Sequence, residues 1–401
     1  MSNTRLLMAG PKPEFWNTEP GNRDQYYIAG RMILSMKSCD RIVLPCGSLE
    51  LERFVEFCIK VFGYKSDQFI WVPKDPYLLE DAVLTNWGRL APYLEDCREG
   101  VIVPYAANQK HWDIASMLGM AVMGEEPDFA EMYGNKCTLH LHIKANGGDK
   151  TGGRPYFDGI QGLRIPRGYV VDDWDQLRFA ISVLNRDGVS RMVIKAPLGA
   201  GGDGIYLNIT HGGILPASLT FPVVLEEMIE IIHAPSVQYT GGVWNGTILL
   251  QVMDGNSFAG NHLWSPPEKV VGQINTMTRL LIDHLKPQGC GGFDFLVDTS
   301  GLVYFVDPNP RMTGAHPALW ARERLLPCAQ KTPFLTWKVK AQVDVFEFWK
   351  RLQEAGIAFN AQIGQGVVPL CYMPGVWSML MAFGPTDAVL NSLQHDANTM
   401  V

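Results

Sequence analysis

GFDFLVDTSGLVYFVDPNPRMTG, residues 292–314, is the stretch on which the reading turns. Two runs alternate apolar and polar residues on either side of a turn at Asp298–Gly301, the pattern of a β-hairpin. Asp294 falls on the first strand, and Asp307 and Asn309 close the second. On antiparallel neighbours these three oxygen-bearing side chains converge on one point. Hard oxygen ligands gathered this way suit Mg²⁺ (or Mn²⁺), which keeps waters and bridges to nucleotide phosphates. Arg311 follows two residues after Asn309 and is spaced to clamp an oxyanion or phosphate through two parallel hydrogen bonds. The plainer alternative is that the acids are turn residues and a solvated carboxylate. Against it, Asp294 stands between Phe293 and Phe295, where an unpaired carboxylate is costly.

A hundred residues upstream lies VIKAPLGAGGDGIYL, residues 193–207. A strand ends in Lys195, and Gly199, Gly201, Gly202 and Gly204 follow within ten residues. Glycines permit positive φ and let backbone N–H groups approach an anion with no side chain between them. The lysine adds a compact point charge for phosphate oxygens. The loop is neither a Walker A motif nor a dinucleotide fingerprint, because the helix that both require does not follow. By itself, a Gly-rich hairpin reads equally well as a tight β-turn.

In chain order, Lys195 with its glycine loop, LEEMIE (225–230), Asp294, Asp307, Asn309 and Arg311 resemble the ATP-grasp superfamily. AVMGEEPDFAEMYGNK (121–136) is similar to the element that carries that family's first lysine, which makes Lys136 the candidate. The resemblance covers residues from about 100 to about 325. It implies Mg-ATP as cofactor, with Lys136 and Lys195 on the phosphates and the glycine loop closing over them. It also implies an adenine hinge at Glu226, Glu227 and the backbone near Ile229, and a metal site of Asp294, Asp307 and Asn309. Three departures stand out. Both metal acids are aspartates where the family commonly has glutamates, 231–240 offers no carboxylate for the ribose, and the insert at 146–160 is long.

Residues 249–266 and 366–376 resemble, more loosely, peptide ligases of natural-product biosynthesis of the pheganomycin type. That implies a carboxylate activated as an acyl phosphate and an amine that attacks it, with Arg311 stabilising the oxyanion. Biotin-dependent carboxylases share the Asn-x-Arg step and a His-Pro at the spacing of His316–Pro317. Their general base is a glutamate just before it, where this chain has Ala315. A phosphotransferase and a non-catalytic nucleotide sensor are the remaining alternatives.

The expected fold is α/β (α+β grasp): an N-terminal α/β domain of the kind that precedes the grasp, then an ATP-grasp fold of two α+β subdomains. The domains are 1–115, a central subdomain 116–190 with the Gly-rich insert 146–160, a core 191–330, and 331–401 as the C-terminal part of the grasp. Apolar runs at 41–47, 68–73 and 101–105 read as strands. Stretches 48–63, 77–97 and 108–120 have helical spacing, with Leu49, Leu51, Phe54, Val55 and Cys58 assigned to one face of the first. Further on come a strand at 168–171, a helix capped by Asp172 or Asp173, and a strand at 191–197. After residue 330 a helix and strands near 366–372 and 377–382 follow.

The chain has 401 residues and a net charge of −7, so no basic field exists to hold a nucleic-acid backbone. Eight scattered cysteines without a C-x-x-C pair fit reduced thiols better than a disulfide framework or a zinc site. The N-terminus lacks the apolar core of a signal peptide, and no run approaches the roughly 18 apolar residues of a membrane span. The expectation is a cytoplasmic protein acting on small carboxylates and amines, with neither nucleic acid nor membrane as partner. Two-fold homodimers are the commonest assemblies, so a homodimer stays open. Among tempting residues, His140 and His142 fall on different faces of a helix and do not readily share a metal. His262 and Trp264 read equally as pocket or packing, Arg164 and Arg167 as solvated, and Cys137 as a small packed residue.

Overall fold

Residues 4–10, 24–73, 78–145, 163–199, 204–255, 257–327, 332–375 and 377–401 are described by the computed structural model. Continuous apolar runs such as RIVLP and VIVP are buried on both faces, as parallel strands between helices must be. They build a five-stranded parallel sheet in the order Phe69–Val72, Arg41–Pro45, Arg5–Met8, Val101–Pro104, Ala121–Val122. The helix Leu49–Phe62 begins at Ser48, whose side chain accepts from Leu51 N–H, and stops at Gly63 in the left-handed region. It buries Leu51, Phe54, Val55, Phe57 and Cys58, whereas Leu49 is 71% exposed. Leu49 precedes Leu51 by two residues, which turns it roughly 200° away from the buried stripe. The 77–97 stretch forms two helices, Leu79–Thr85 and Trp87–Leu94, broken at Asn86.

A four-stranded antiparallel sheet follows, ordered Gly168–Val171, Val223–Glu227, Met192–Lys195, Ile205–Ile209. The helix Trp174–Arg186 covers it. Of the two candidate caps, Asp173 does the work, accepting from Asp175 and Gln176 N–H. The Met192–Lys195 and Ile205–Ile209 hairpin holds the glycine loop at its tip, closed by Ala196 N–H donating to Gly204 O at 2.8 Å. Gly204 has φ +70, and a Cβ there would lie 2.7 Å from that of Ala196, so glycine is required.

The third sheet has nine antiparallel strands. The hairpin of Cys290–Asp298 and Val303–Asn309 lies toward one end, next to Pro235–Thr240 and Val243–Asp254. At the other end, Phe334–Val339, Ser378–Phe383 and Gly366–Cys371 carry the sheet under the N-terminal domain. There Phe57, Phe348, Tyr372 and Phe383 share one apolar core with Leu7 and Leu44. The parallel sheet and the two antiparallel sheets together match the expected α/β class with an N-terminal parallel sheet. Among the described residues no helix is long and apolar enough to cross a membrane.

Candidate active site

The large sheet sets out two rows of side chains on one face. Asp294 lies opposite Asp307 on one neighbour and Ser236 on the other; in the next row Gly292 lies opposite Asn309 and Gln238. Directly paired residues of antiparallel strands share a face, so the hairpin does bring the three predicted oxygen ligands together. Asn309 Nδ2 donates to Asp294 Oδ2 at 2.9 Å, and Arg311 Nη2 donates to Asn309 Oδ1 at 3.1 Å. Burial and the facing Asp307 push the Asp294 carboxyl up to about 7, although Asn309, Arg311 and Lys136 pull the other way. Two carboxylates confronting each other beside the Asn309 amide form an oxygen donor set that fits a hard divalent cation.

Lys136 opens the helix Lys136–Ala145, started by Asn135, whose Oδ1 accepts from Cys137 and Thr138 N–H. Its own N–H donates to Pro197 O at 2.9 Å, which ties the helix to the glycine hairpin. Residues four apart share a helix face, and this helix uses that spacing to reach two sheets. Lys136 Nζ stands 3.4 Å from Asp307 Oδ2 on the large sheet, while His140 Nε2 stands 3.1 Å from Glu226 Oε1 on the small one. Lys195 Nζ meets the other Glu226 oxygen at 2.5 Å. Burial alone would raise the Glu226 carboxyl, but Lys195 and His140 outweigh it and hold it at about 2.

Lys136, Lys195, Glu226, Asp294, Asp307, Asn309 and Arg311 line a single cavity of about 720 Å³ between the sheets, together with Gly199, Glu227, Met228 and Ile229. The Glu226 side chain therefore pairs with Lys195, and Glu226 through Ile229 all border the cavity. Glu227 is engaged by Arg167, which donates from N and Nε at 2.9 Å each, so Arg167 is paired rather than solvated. Arg164 lies over the Tyr304 ring and bonds Gln273. Gly201, Gly202, the insert 146–160 and the His142 side chain lie outside the described residues. His262 pairs with Asp387 at 3.0 Å and Trp264 packs on His233; both belong to packing. Cys137 is buried, its thiol pushed up to about 12 by desolvation. Burial likewise lowers His316 to about 4; its ring bonds Thr313 N–H and Tyr239 O. Sequence reasoning missed His140 as a partner of Glu226, though its spacing from Lys136 is a usable signal. It also missed Ser236, Gln238 and Arg31, for which only tertiary contact speaks.

No family model and no curated protein matches the sequence. Solved structures do. N5-carboxyaminoimidazole ribonucleotide synthetase in its ADP complex aligns with 100% of this chain and 96% of its own, at TM-score 0.59 and 12% identity. Biotin carboxylase from Campylobacter jejuni aligns over 99% and 91%, at TM-score 0.62 and 13% identity. The biotin carboxylase domain of Hydrogenobacter thermophilus 2-oxoglutarate carboxylase, crystallised with MgADP and bicarbonate, covers 99% and 89% at TM-score 0.59 and 14% identity. The chain therefore has the ATP-grasp fold, along its whole described length and with its N-terminal domain included. Identities this low carry the architecture and leave the reaction to the residues of the cavity.

Proposed function

We propose that the protein is an ATP-dependent carboxylate–amine ligase, which activates a carboxylate as an acyl phosphate and joins it to an amine as an amide or peptide bond. One observation carries the reading. Two lysines, an aspartate pair, an asparagine and an arginine, drawn from three separate stretches of chain, border one cavity. The structural neighbours crystallised with ADP or MgADP support ATP and Mg²⁺ as the cofactors.

Lys195, locked by Glu226, and Lys136, held less tightly by Asp307, present fixed positive charge to the phosphates. The backbone from Glu227 to Ile229 offers the edge on which adenine rests. Asp294, Asp307 and Asn309 would hold Mg²⁺, which would neutralise charge at the transferring phosphoryl group. Arg311, steadied by Asn309, orients the substrate carboxylate for attack on phosphorus and then stabilises the tetrahedral oxyanion when the amine attacks. The amine loses its proton and phosphate leaves, so product mass equals the two substrates minus water.

Two neighbours are carboxylases by name, which makes carboxylation the second reading. Against it, the cavity wall offers Ala315 where those enzymes carry their base by resemblance. A role in natural-product biosynthesis, in the cytoplasm, rests on the resemblance of 249–266 and 366–376 and on the spread of cysteines. The test is ADP and phosphate release from Mg-ATP with single and paired amino acids, with product masses recorded. Release that needs a carboxylate and an amine, with the mass of their sum less water, supports ligation. Release on bicarbonate alone, or none with any pair, would sink it.

A further inference from the structure

The chain leaves the backbone edge at Glu227–Ile229, passes through Ile231–His233 and enters the strand Pro235–Thr240 of the large sheet. Register fixes what it meets on the way to the Asp294–Asp307 pair. Ser236 lies directly opposite Asp294. One row nearer the edge, Ala234 O accepts from Gln251 N–H at 3.0 Å, which sets Gln251 beside Ala234 on the neighbouring strand Val243–Asp254. The adjoining pair, Pro235 opposite Leu250, follows the same register. Ala234, Ser236 and Gln251 all line the cavity, as do Ile231 and Met253 closer to the edge. A row is two residues, or roughly 7 Å of strand. Gln251 therefore stands one row short of the acids that would hold the metal, on the side of the adenine edge.

The acids on the cavity wall, among the described residues, are engaged elsewhere. Glu226 meets Lys195 and His140, Glu227 is bonded by Arg167, and Asp294 and Asp307 face each other across the hairpin. None stands in the row of Ala234 and Gln251. Ser236 Oγ accepts from Gln238 Nε2 at 3.1 Å. Gln251 is different. It is half-buried, and its side-chain amide has no hydrogen-bond partner among the described residues. The unpaired amide atoms of Gln238 and Asn261 are sealed in the interior, whereas those of Gln251 are not, so its amide opens onto the cavity. Its other neighbours there are apolar: Ala234, Ile231 at 47% exposure and Met253 at 43%.

A nucleotide with its base on that edge and its phosphates at Lys195 and Lys136 carries its ribose across this row. The 2′- and 3′-hydroxyls are adjacent, and each both donates and accepts. A primary amide offers an acceptor oxygen and an N–H donor side by side, which matches that pair. In dinucleotide-binding folds a carboxylate does this work, with the stronger bonds of an ionised acceptor. From this geometry we infer that Gln251 holds the ribose and that the protein reads the sugar through neutral hydrogen bonds. Discrimination against deoxynucleotides is then shallow. A neutral hydrogen bond contributes less than one to an ionised group, and the apolar neighbours of Gln251 lose nothing when a hydroxyl is missing. The inference rests on the nucleotide site of the ligase reading and deepens it by assigning its sugar specificity.

The experiment titrates the full chain calorimetrically with ADP and with 2′,3′-dideoxy-ADP, each in the presence of Mg²⁺. The wild type should bind the dideoxynucleotide about 10-fold more weakly. Gln251→Leu should weaken ADP by about 10-fold and leave the dideoxynucleotide at its wild-type affinity, which also reports that the site is intact. Gln251→Glu should widen the ratio between the two nucleotides to about 100-fold, because the acceptor is then ionised. If Gln251→Leu does not fold, the ratio in Gln251→Glu decides the assignment. A ratio that stays at the wild-type value in the folded variants, whether both affinities fall together or neither moves, overturns it. So does a wild-type ratio near one. A wild-type ratio well above about 100-fold would reveal an ionised partner and overturn the neutral readout. Each of those failures leaves ligation standing. No binding of ADP at all would remove the nucleotide site, and both the inference and the ligase reading with it.

Discussion

Glu226 on the small sheet and Asp294 on the large one face the same cavity, and both are largely removed from water, yet they titrate far apart. Glu226 is held at about 2 and Asp294 is pushed up to about 7. Desolvation acts on both in the same direction, so the company each keeps makes the difference. Glu226 has Lys195 at 2.5 Å and His140 at 3.1 Å; Asp294 has an amide, a more distant arginine and a like charge opposite. A carboxylate with its cations already in place is a strut, whereas one that lacks them is a place for a cation to bind.

The largest effect should come from emptying the Asp294 side of the pair. Asp307→Ala or Arg311→Ala should reduce ligation by about 10³-fold or more while the melting curve stays near that of the wild type. Full activity in either variant would remove the site assignment. Next in size is the strut. Glu226→Gln leaves Lys195 buried beside a neutral partner, so it should cost about 3 kcal/mol of stability in denaturant unfolding and raise KM for ATP. A stability loss without any change in KM would mean that Lys195 does not touch the nucleotide.

The pH dependence of Mg²⁺ binding sharpens the contrast further. Because the folded pKa of Asp294 lies above its unfolded value, the native state keeps a proton that the unfolded chain has released from about pH 4 to about 7. Its contribution to stability therefore falls as pH rises through that window and levels off above it. Binding of Mg²⁺ needs the ionised form, so the rise in Tm on adding Mg²⁺ should be larger at about pH 8 than at about pH 5.5. Asp294→Asn should flatten that difference; a difference that persists would move the titration to another group. His140→Ala, which removes one of two supports from Glu226, should lower kcat/KM by about 10-fold. At the small end, Asp173→Ala removes only a helix cap and should cost about 1 kcal/mol with ATP affinity intact.

Much of the site was legible because its members are short-range neighbours in regular structure. A hairpin with a readable turn places Asp294 and Asp307 on adjoining strands, the bulge between Asp294 and Phe295 then sets them opposite each other, and Arg311 follows Asn309 by two residues whatever else the chain does. The alternation of strands and helices gave the class of fold for the same reason. The exposure of Leu49 shows the limit at small scale, since apolar character alone placed it on a face that helical geometry denies it.

By itself, then, the sequence determined the α/β class, the hairpin with its acids, the glycine loop and the two lysines. Each of those follows from local spacing, which backbone geometry converts directly into position. Only the tertiary structure decided that Glu226 serves Lys195 and His140, that Arg167 is paired to Glu227, and that Arg31 meets Gly314 across 283 residues of chain. Those contacts join different sheets or domains. Their pairing is set by how separate hydrophobic faces pack together, which no local pattern of residues encodes.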